Sequence, residues 1–212
     1  MERPVIIFGA SGLGKAALEI FTVNEVVVYG FLDDDSKLHG TEINSIPVLG
    51  SADDEKFTGL LRNKCFAFLA TDDNALKAAQ VSLLREKYGQ MPVNAIHPSA
   101  VIAASAILHH GTLINQRATI GAFSEIGNHC LVHAGAIVDY QVRIGDFVQL
   151  GAGCIVNPGV QVGDNVFIGA GAVLVSGITI ADHARIGAGS VVVSNVGKKE
   201  TLFGNPAKPV NV

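Results

Sequence analysis

The sequence predicts a small α/β domain followed by a parallel solenoid of very short strands. Two observations carry this. Up to about residue 95, apolar runs of strand length alternate with helical stretches. From about Ile96, an aliphatic residue recurs every six positions. Domains are therefore expected over residues 1–95 and 96–212.

The front half reads as βαβ. Val5-Ile6-Ile7-Phe8 has the unbroken apolar character of a buried parallel strand. Gly9-Ala10-Ser11-Gly12-Leu13-Gly14-Lys15 follows as a turn, and Ala16 to Phe21 as a helix with Leu18 and Phe21 on one side. Val26 to Leu32 is a second strand, ending at Asp33-Asp34-Asp35. Phe66 to Leu69 is a third, and Thr71-Asp72-Asp73 caps a helix from Ala75 to Tyr88. Such a sheet takes ligands at the carboxyl ends of its strands.

The rear half has a different grammar. Ile102, Leu108, Ile114, Ile120, Ile126, Val132, Val138, Ile144, Leu150, Val156, Val162, Ile168, Leu174, Ile180, Ile186 and Val192 are all aliphatic at six-residue steps. Two positions earlier the side chain is small or β-branched, as at Ala118, Cys130, Val142 and Cys154. Glycine often comes next, as at 121, 127, 145, 151, 163, 169 and 187. A period of six fits neither a helix nor a hairpin meander. It fits three strands per coil, one aliphatic from each pointing to the axis, and a coil of about 18 residues. So few axial side chains per coil do not offset the entropy of ordering it, which predicts an oligomer.

Composition narrows the function. Hydrophobic residues are 49% and charged residues 16%, which excludes a disordered chain. The net charge of −4 without a basic run gives no electrostatic footprint for nucleic acid, and no apolar stretch is long enough to span a membrane. Cys65, Cys130 and Cys154 are odd in number and lack C-x-x-C spacing. They read as reduced core residues, and with no signal-peptide pattern after Met1 the expected location is the cytoplasm.

The hexapeptide run resembles the left-handed β-helix acyltransferases, and Phe203-Gly204-Asn205-Pro206-Ala207-Lys208-Pro209 is similar to their G-x-P-A-K tail. The front turn and Phe31-Leu32-Asp33-Asp34-Asp35 resemble one branch, the bacillosamine, perosamine and sialic acid acetyltransferases. The resemblance implies left-handed coiling and a homotrimer with acetyl-CoA between neighbouring β-helices. It implies a nucleotide-sugar substrate held by the front domain and acetylation of an amino group. Two alternatives stay open: O-acetylation of the sialic acid type, and a catalytically silent trimeric scaffold.

The silent alternative arises at the base position. Where the family carries its catalytic His and the acid that orients it, this chain has Asp139-Tyr140-Gln141, and Gln149 replaces a second His. A tyrosine of ordinary pKa near 10 is a poor proton acceptor at neutral pH, whereas an imidazole near 6.5 is a good one. His133 stands where relatives carry Asn, and it is expected to serve as base, oriented by Asp139 or by a residue across a subunit boundary, with a water-relayed arrangement as the alternative. The alternative for His133 is a member of a polar column, His97, Asn115, His133 and Gly151, spaced by 18. For Tyr140 it is an exposed turn aromatic.

For acetyl-CoA, the resemblance points to Gln149, Ala170 and Ala188, with Gly151 allowing close approach and Lys208 near a phosphate. Backbone N–H groups at Ser11, Gly12 and Leu13, at a helix start, suit a diphosphate. Leu13 replaces the His of some relatives. Asp33 and Asp34 can accept hydrogen bonds from a base or ribose, and Thr71 joins them by resemblance. A dinucleotide is the weaker reading of the glycine turn, since 95 residues leave no room for a doubled βαβαβ unit. Zinc, as in the carbonic anhydrases that share the β-helix, would need converging histidines. His129 and His133 are four apart on a six-residue step and so fall on different facets, and no metal is expected.

Overall fold

A computed structural model describes residues 3–210. The chain forms two compact units, one ending at Pro98 and the other beginning at Ser99.

In the first unit, β1 (Val5–Phe8), β2 (Val28–Leu32), β3 (Glu42–Ile43), β4 (Ile46–Gly50) and β5 (Phe66–Leu69) make one sheet in the order β3-β4-β2-β1-β5. All neighbours run parallel except the β3–β4 hairpin. Every residue of β1 is buried, which explains why Val5-Ile6-Ile7-Phe8 shows no alternation. The helices are α1 (Gly12–Val23), α2 (Glu55–Thr58) and α3 (Asn74–Tyr88). Ile6, Phe8, Leu32 and Leu69 pack with Leu61 and Leu84 in one core, and Phe21 meets Phe68 edge-on at 5.5 Å.

Three local readings differ from the sequence-based expectation. α1 starts at Gly12 rather than Ala16. Gly14 lies inside its first turn because a Cβ there would run into the Gly9 carbonyl, so this glycine serves close packing and not a bend. β2 begins at Val28 rather than Val26. The β3–β4 hairpin was not anticipated; Asn44 and Ser45 turn it with φ of 49° and 64°, and Asn-Ser lacks the glycine that normally flags such a turn. The cap of α3 is as expected: the Asp73 carboxylate accepts the N–H groups of Ala75 and Leu76 at 2.8 and 3.0 Å.

The second unit is a parallel β-helix with three faces. Strands are two residues long and pair with the strand eighteen residues on, as Thr119 with Ile137, Glu125 with Arg143 and Leu131 with Gln149. From Ile114 to Val192, each aliphatic at the six-residue step is no more than 5% exposed. Ile102 and Leu108 are half-buried. Ser124 sits at the second inward position because its hydroxyl is fully used: it donates to the Asp139 carbonyl at 2.6 Å and accepts the Val142 N–H at 3.0 Å.

The faces differ outside. The first, from Val101–Ile102 to Val191–Val192, turns Val101, Thr119, Ile137, Ile155, Val173 and Val191 outward. The second, from Ile107–Leu108 to Thr179–Ile180, turns out Glu125, Arg143, Gln161 and Thr179 beyond its first strand. The third includes Leu113–Ile114 to Arg185–Ile186 and continues into a hairpin of Thr201–Gly204 and Ala207–Pro209.

Candidate active site

In the first unit, β1 is the point where the strand order reverses, with β2 on one side and β5 on the other. A crevice opens beyond the carboxyl ends of strands at such a point. Here it is a pocket of about 200 Å³, lined among others by Gly9, Ser11, Asp34, Thr71 and Gln80. Gly9 has φ of 103°, and a Cβ on it would lie 2.7 Å from the Ala70 carbonyl oxygen, so the turn between β1 and α1 needs glycine there. Gly12 is different. Nothing lies within 4 Å of a Cβ placed on it, so the fold itself has no use for its lack of a side chain. Ser11 is the N-cap of α1 but its hydroxyl makes no capping bond, leaving the N-terminal turn facing outward uncapped by a side chain.

The two aspartates have separate roles. Asp33 is committed to the fold: its Oδ2 accepts the Ala10 N–H at 2.7 Å and its Oδ1 the Asp35 N–H at 2.9 Å. It thereby ties the glycine turn to the end of β2. Asp34 uses Oδ1 to accept the Ala52 N–H at 3.0 Å. The Thr71 hydroxyl accepts the Asp73 N–H at 3.1 Å. Of the residues expected at this rim, Ser11, Asp33, Asp34 and Thr71 line the pocket, while Gly12 and half-buried Leu13 lie in the adjoining first turn of α1.

In the second unit, chemistry divides among the three edges of the β-helix. Between the second and third faces runs a ladder: the Asn128 N–H donates to Asp146 Oδ1 at 2.7 Å, Asp146 N–H to Asp164 Oδ1 at 2.8 Å, and Asp164 N–H to Asp182 Oδ1 at 3.2 Å. Each aspartate caps a backbone N–H one coil earlier. Glycines 127, 145 and 163 recur there because a Cβ would run into the next coil: the Gly145 carbonyl at Gly127, and the Asp164 and Asp182 carboxylates at Gly145 and Gly163.

The same hexapeptide position on the edge between the third and first faces carries Ala152, Ala170 and Ala188, all exposed. Alanine cannot cap, so the backbone is presented outward. This edge reads Gly151-Ala152-Gly153, Gly169-Ala170-Gly171 and Gly187-Ala188-Gly189 on successive coils, and His133 stands one coil before Gly151. At the far end Phe203 packs over Gly187, and the Gly204 N–H donates to the Ser190 hydroxyl at 3.1 Å. Lys208 pairs with Phe203 across the terminal hairpin and is exposed. Gln149 lies on the third face beside this edge.

Tyr140 occupies the third edge, between the first and second faces, and is 50% exposed. Its N–H donates to Asp139 Oδ1 at 2.7 Å, and Gln141 takes the left-handed corner with φ of 57°. His133 and Asp139 follow strands on different faces of the same coil, so one chain places them on different edges. His129 is on the remaining edge, its ring 4.9 Å from that of Phe147. Among the described residues, no three His, Cys, Asp or Glu side chains gather as a metal site would require.

Sequence reasoning missed Gln80 and the alanine at 152. Gln80 falls in a polar helix where one more amide carries no signal. Ala152 is conspicuous only once its column is compared with the aspartate ladder.

A three-faced parallel β-helix built on a six-residue period is the architecture of the hexapeptide-repeat proteins. The sequence matches the profile of the bacterial transferase hexapeptide (six repeats) over residues 141–176 and 159–194, and that of the PglD N-terminal domain over 4–83. Among curated proteins, none matches the chain. Perosamine N-acetyltransferase from Caulobacter crescentus, solved with CoA and GDP-perosamine, is 32% identical with a TM-score of 0.90, covering 100% of this chain and 99% of that one. The acetyltransferase domain of PglB from Neisseria gonorrhoeae, solved with acetyl coenzyme A, is 26% identical with a TM-score of 0.87, covering 99% and 100%. WeeI from Acinetobacter baumannii is 25% identical with a TM-score of 0.85, covering 99% and 100%. The chain belongs to the left-handed β-helix sugar N-acetyltransferases of the perosamine and bacillosamine type, a family of acetyl-CoA-dependent acyltransferases.

Proposed function

We propose that the protein transfers an acetyl group from acetyl-CoA to the amino group of a nucleotide-linked sugar, as a cytoplasmic homotrimer. The observation that carries this is the bare edge ending at His133. From Gly187 to His133 is three coil steps, about 14 Å at ~4.8 Å each, a length comparable with an extended pantetheine arm. The arm lies along Gly151, Ala170 and Ala188, hydrogen-bonded by outward backbone groups and by Gln149. Its nucleotide end reaches the tail, where Lys208 meets a phosphate. The thioester then lies beside His133.

The apolar first face supports the trimer. Ile137 is 38% exposed and Val101 65%. Three copies closing around an axis with this face inward bury it. Closure also sets the His133 edge of one copy against the Tyr140 edge of the next, at the same coil. Asp139 of the neighbour then orients the imidazole, and the Tyr140 hydroxyl positions the acceptor.

In the reaction, His133 accepts a proton as the sugar amine attacks the thioester carbonyl. The C–S bond breaks, the thiolate leaves protonated as CoA, and an amide remains. Backbone N–H groups of the edge stabilise the developing oxyanion. In the first unit, the Ser11-Gly12-Leu13 turn takes the diphosphate, and Asp34 and Thr71 take the nucleoside, with Asp33 holding the turn in place. Gly12, which the fold does not require, permits the close approach of a phosphate.

The test is CoA release from acetyl-CoA in the presence of GDP-, UDP- and dTDP-linked amino sugars. The product of the accepted sugar gains one acetyl group and resists hydroxylamine, as an amide does. A hydroxylamine-labile product would establish O-acetylation instead, and binding of CoA without turnover of any amino sugar would establish the scaffold.

A further inference from the structure

We propose that the Gln80 carboxamide is a direct ligand of the nucleoside and sets the affinity of the nucleotide pocket. The inference rests on the reading of that pocket as the nucleotide site. Gln80 lies on α3, one turn after Leu76 and one before Leu84, and both Leu76 and Gln80 line the pocket. Leu84 on the same stripe is core, 1% exposed. A glutamine at the inward margin of such a stripe is costly unless something pairs with it.

Its amide oxygen is buried and accepts no hydrogen bond from the described residues. Gln90 gives the contrast. Its oxygen is likewise unbonded, but its Nε2 donates to the Leu61 carbonyl at 2.6 Å, which pins the side chain as part of the fold. Among the described residues Gln80 has no such anchor, and it borders a cavity instead.

The pocket's chemistry fits one ring-sized polar group. At about 200 Å³ it is smaller than the ~300 Å³ at the lower end for whole drug-sized ligands. It therefore receives a part of the nucleotide sugar, the nucleoside end. A carboxamide offers a donor beside an acceptor, the pattern of a nucleobase edge. Leu76 supplies an apolar surface on the same helix, and Asp34 a carboxylate on the opposite wall. The oxygen is enclosed and unpaired while the pocket is empty, and rotation of the terminal amide turns it onto the N–H of an entering base.

The experiment is calorimetric titration of the full chain with GDP, UDP, dTDP and CDP, without acetyl-CoA, for the wild type and Gln80→Met. Methionine is close to isosteric and keeps the helix. Gln80→Met weakens the tightest-bound nucleotide at least tenfold, while Tm stays level or rises, because a buried unpaired polar atom has been removed. In turnover the KM for the nucleotide sugar rises in parallel, with kcat and the KM for acetyl-CoA within twofold, as expected for a contact remote from the reacting amine. Wild-type and variant affinities within twofold of each other would overturn the role of Gln80 and leave the pocket reading intact. Wild-type binding of none of the four would overturn the pocket reading and this inference with it.

Discussion

His133 and Gly151 occupy the same place on successive coils: Val132 pairs in register with Leu150, and the His133 N–H donates to the Leu150 carbonyl at 2.9 Å. His133 thus stands at the head of an edge that carries only glycine and alanine for the next three coils. His133→Asn keeps that backbone bond and removes the titrating group. It is expected to lower kcat by about 10²-fold or more and to abolish the acid limb of the pH–rate profile. Tyr140→Phe is expected to change kcat less than fivefold and to leave the limb. Steady-state rates between pH 5.5 and 9 read both.

The alanine edge gives a second expectation. Ala188 is exposed, so a larger side chain there costs the fold little. Ala188→Leu is expected to raise the KM for acetyl-CoA at least tenfold with Tm within about 2 °C. Gln161→Leu, on the exposed polar second face away from both of those edges, serves as control and should leave that KM unchanged.

Assembly is tested on the first face. Ile137→Lys puts a charge at the middle of the apolar strip and is expected to give a monomer in sedimentation velocity, without activity. Gln161→Lys, on the polar second face, is expected to remain trimeric and active. A monomeric wild type would remove the inter-subunit pairing of His133 with Asp139.

The cysteines should be silent in a thiol-based assay of CoA release. All three are buried and none is in a disulfide. Burial pushes the Cys154 thiol up to about 12 and raises that of Cys65. Native protein at pH 8 is expected to react with a chromogenic disulfide far more slowly than denatured protein. The same shift links Cys154 to stability. Its folded pKa lies above the ordinary value of 9.0, so its contribution is complete below pH 9 and declines as pH rises toward 12. Cys154→Ala should flatten that alkaline decline in Tm.

The Asp33 carboxylate binds two backbone N–H groups, and removing it leaves both without an acceptor. Asp33→Ala is expected to cost about 1–3 kcal/mol in chemical denaturation, and to weaken nucleotide binding through the displaced turn. Asp34→Asn, which keeps an acceptor for Ala52, should spare stability.

The sequence made the solenoid legible because a six-residue aliphatic column has no other explanation, and each of its members from Ile114 onward is buried as expected. Asp73 declared the start of α3 for a similar reason, since a cap is local chemistry. What stayed hidden depends on neighbours eighteen residues away or on unusual local geometry. Gly14 looked like part of a bend, and only its contact with the Gly9 carbonyl reveals it as the first turn of a helix. The contrast between Ala170 and Asp164 becomes meaningful only when the coils are stacked. Gln80 belongs to a helix whose polar residues look alike until one of them is found facing a cavity. The base position was not legible because His133 and Tyr140 lie on different edges of one coil, and only the proposed trimer would bring those edges together.

The aspartate ladder from Asp146 to Asp182 repeats with the coil, so adding or deleting one complete eighteen-residue unit adds or removes one rung and keeps the rest in register. Such an edit would leave the wall intact and move the imidazole by a single increment relative to the C-terminal hairpin. On the proposed placement of acetyl-CoA, the β-helix is a ruler graduated in whole coils, against which the reach of the donor's arm is measured.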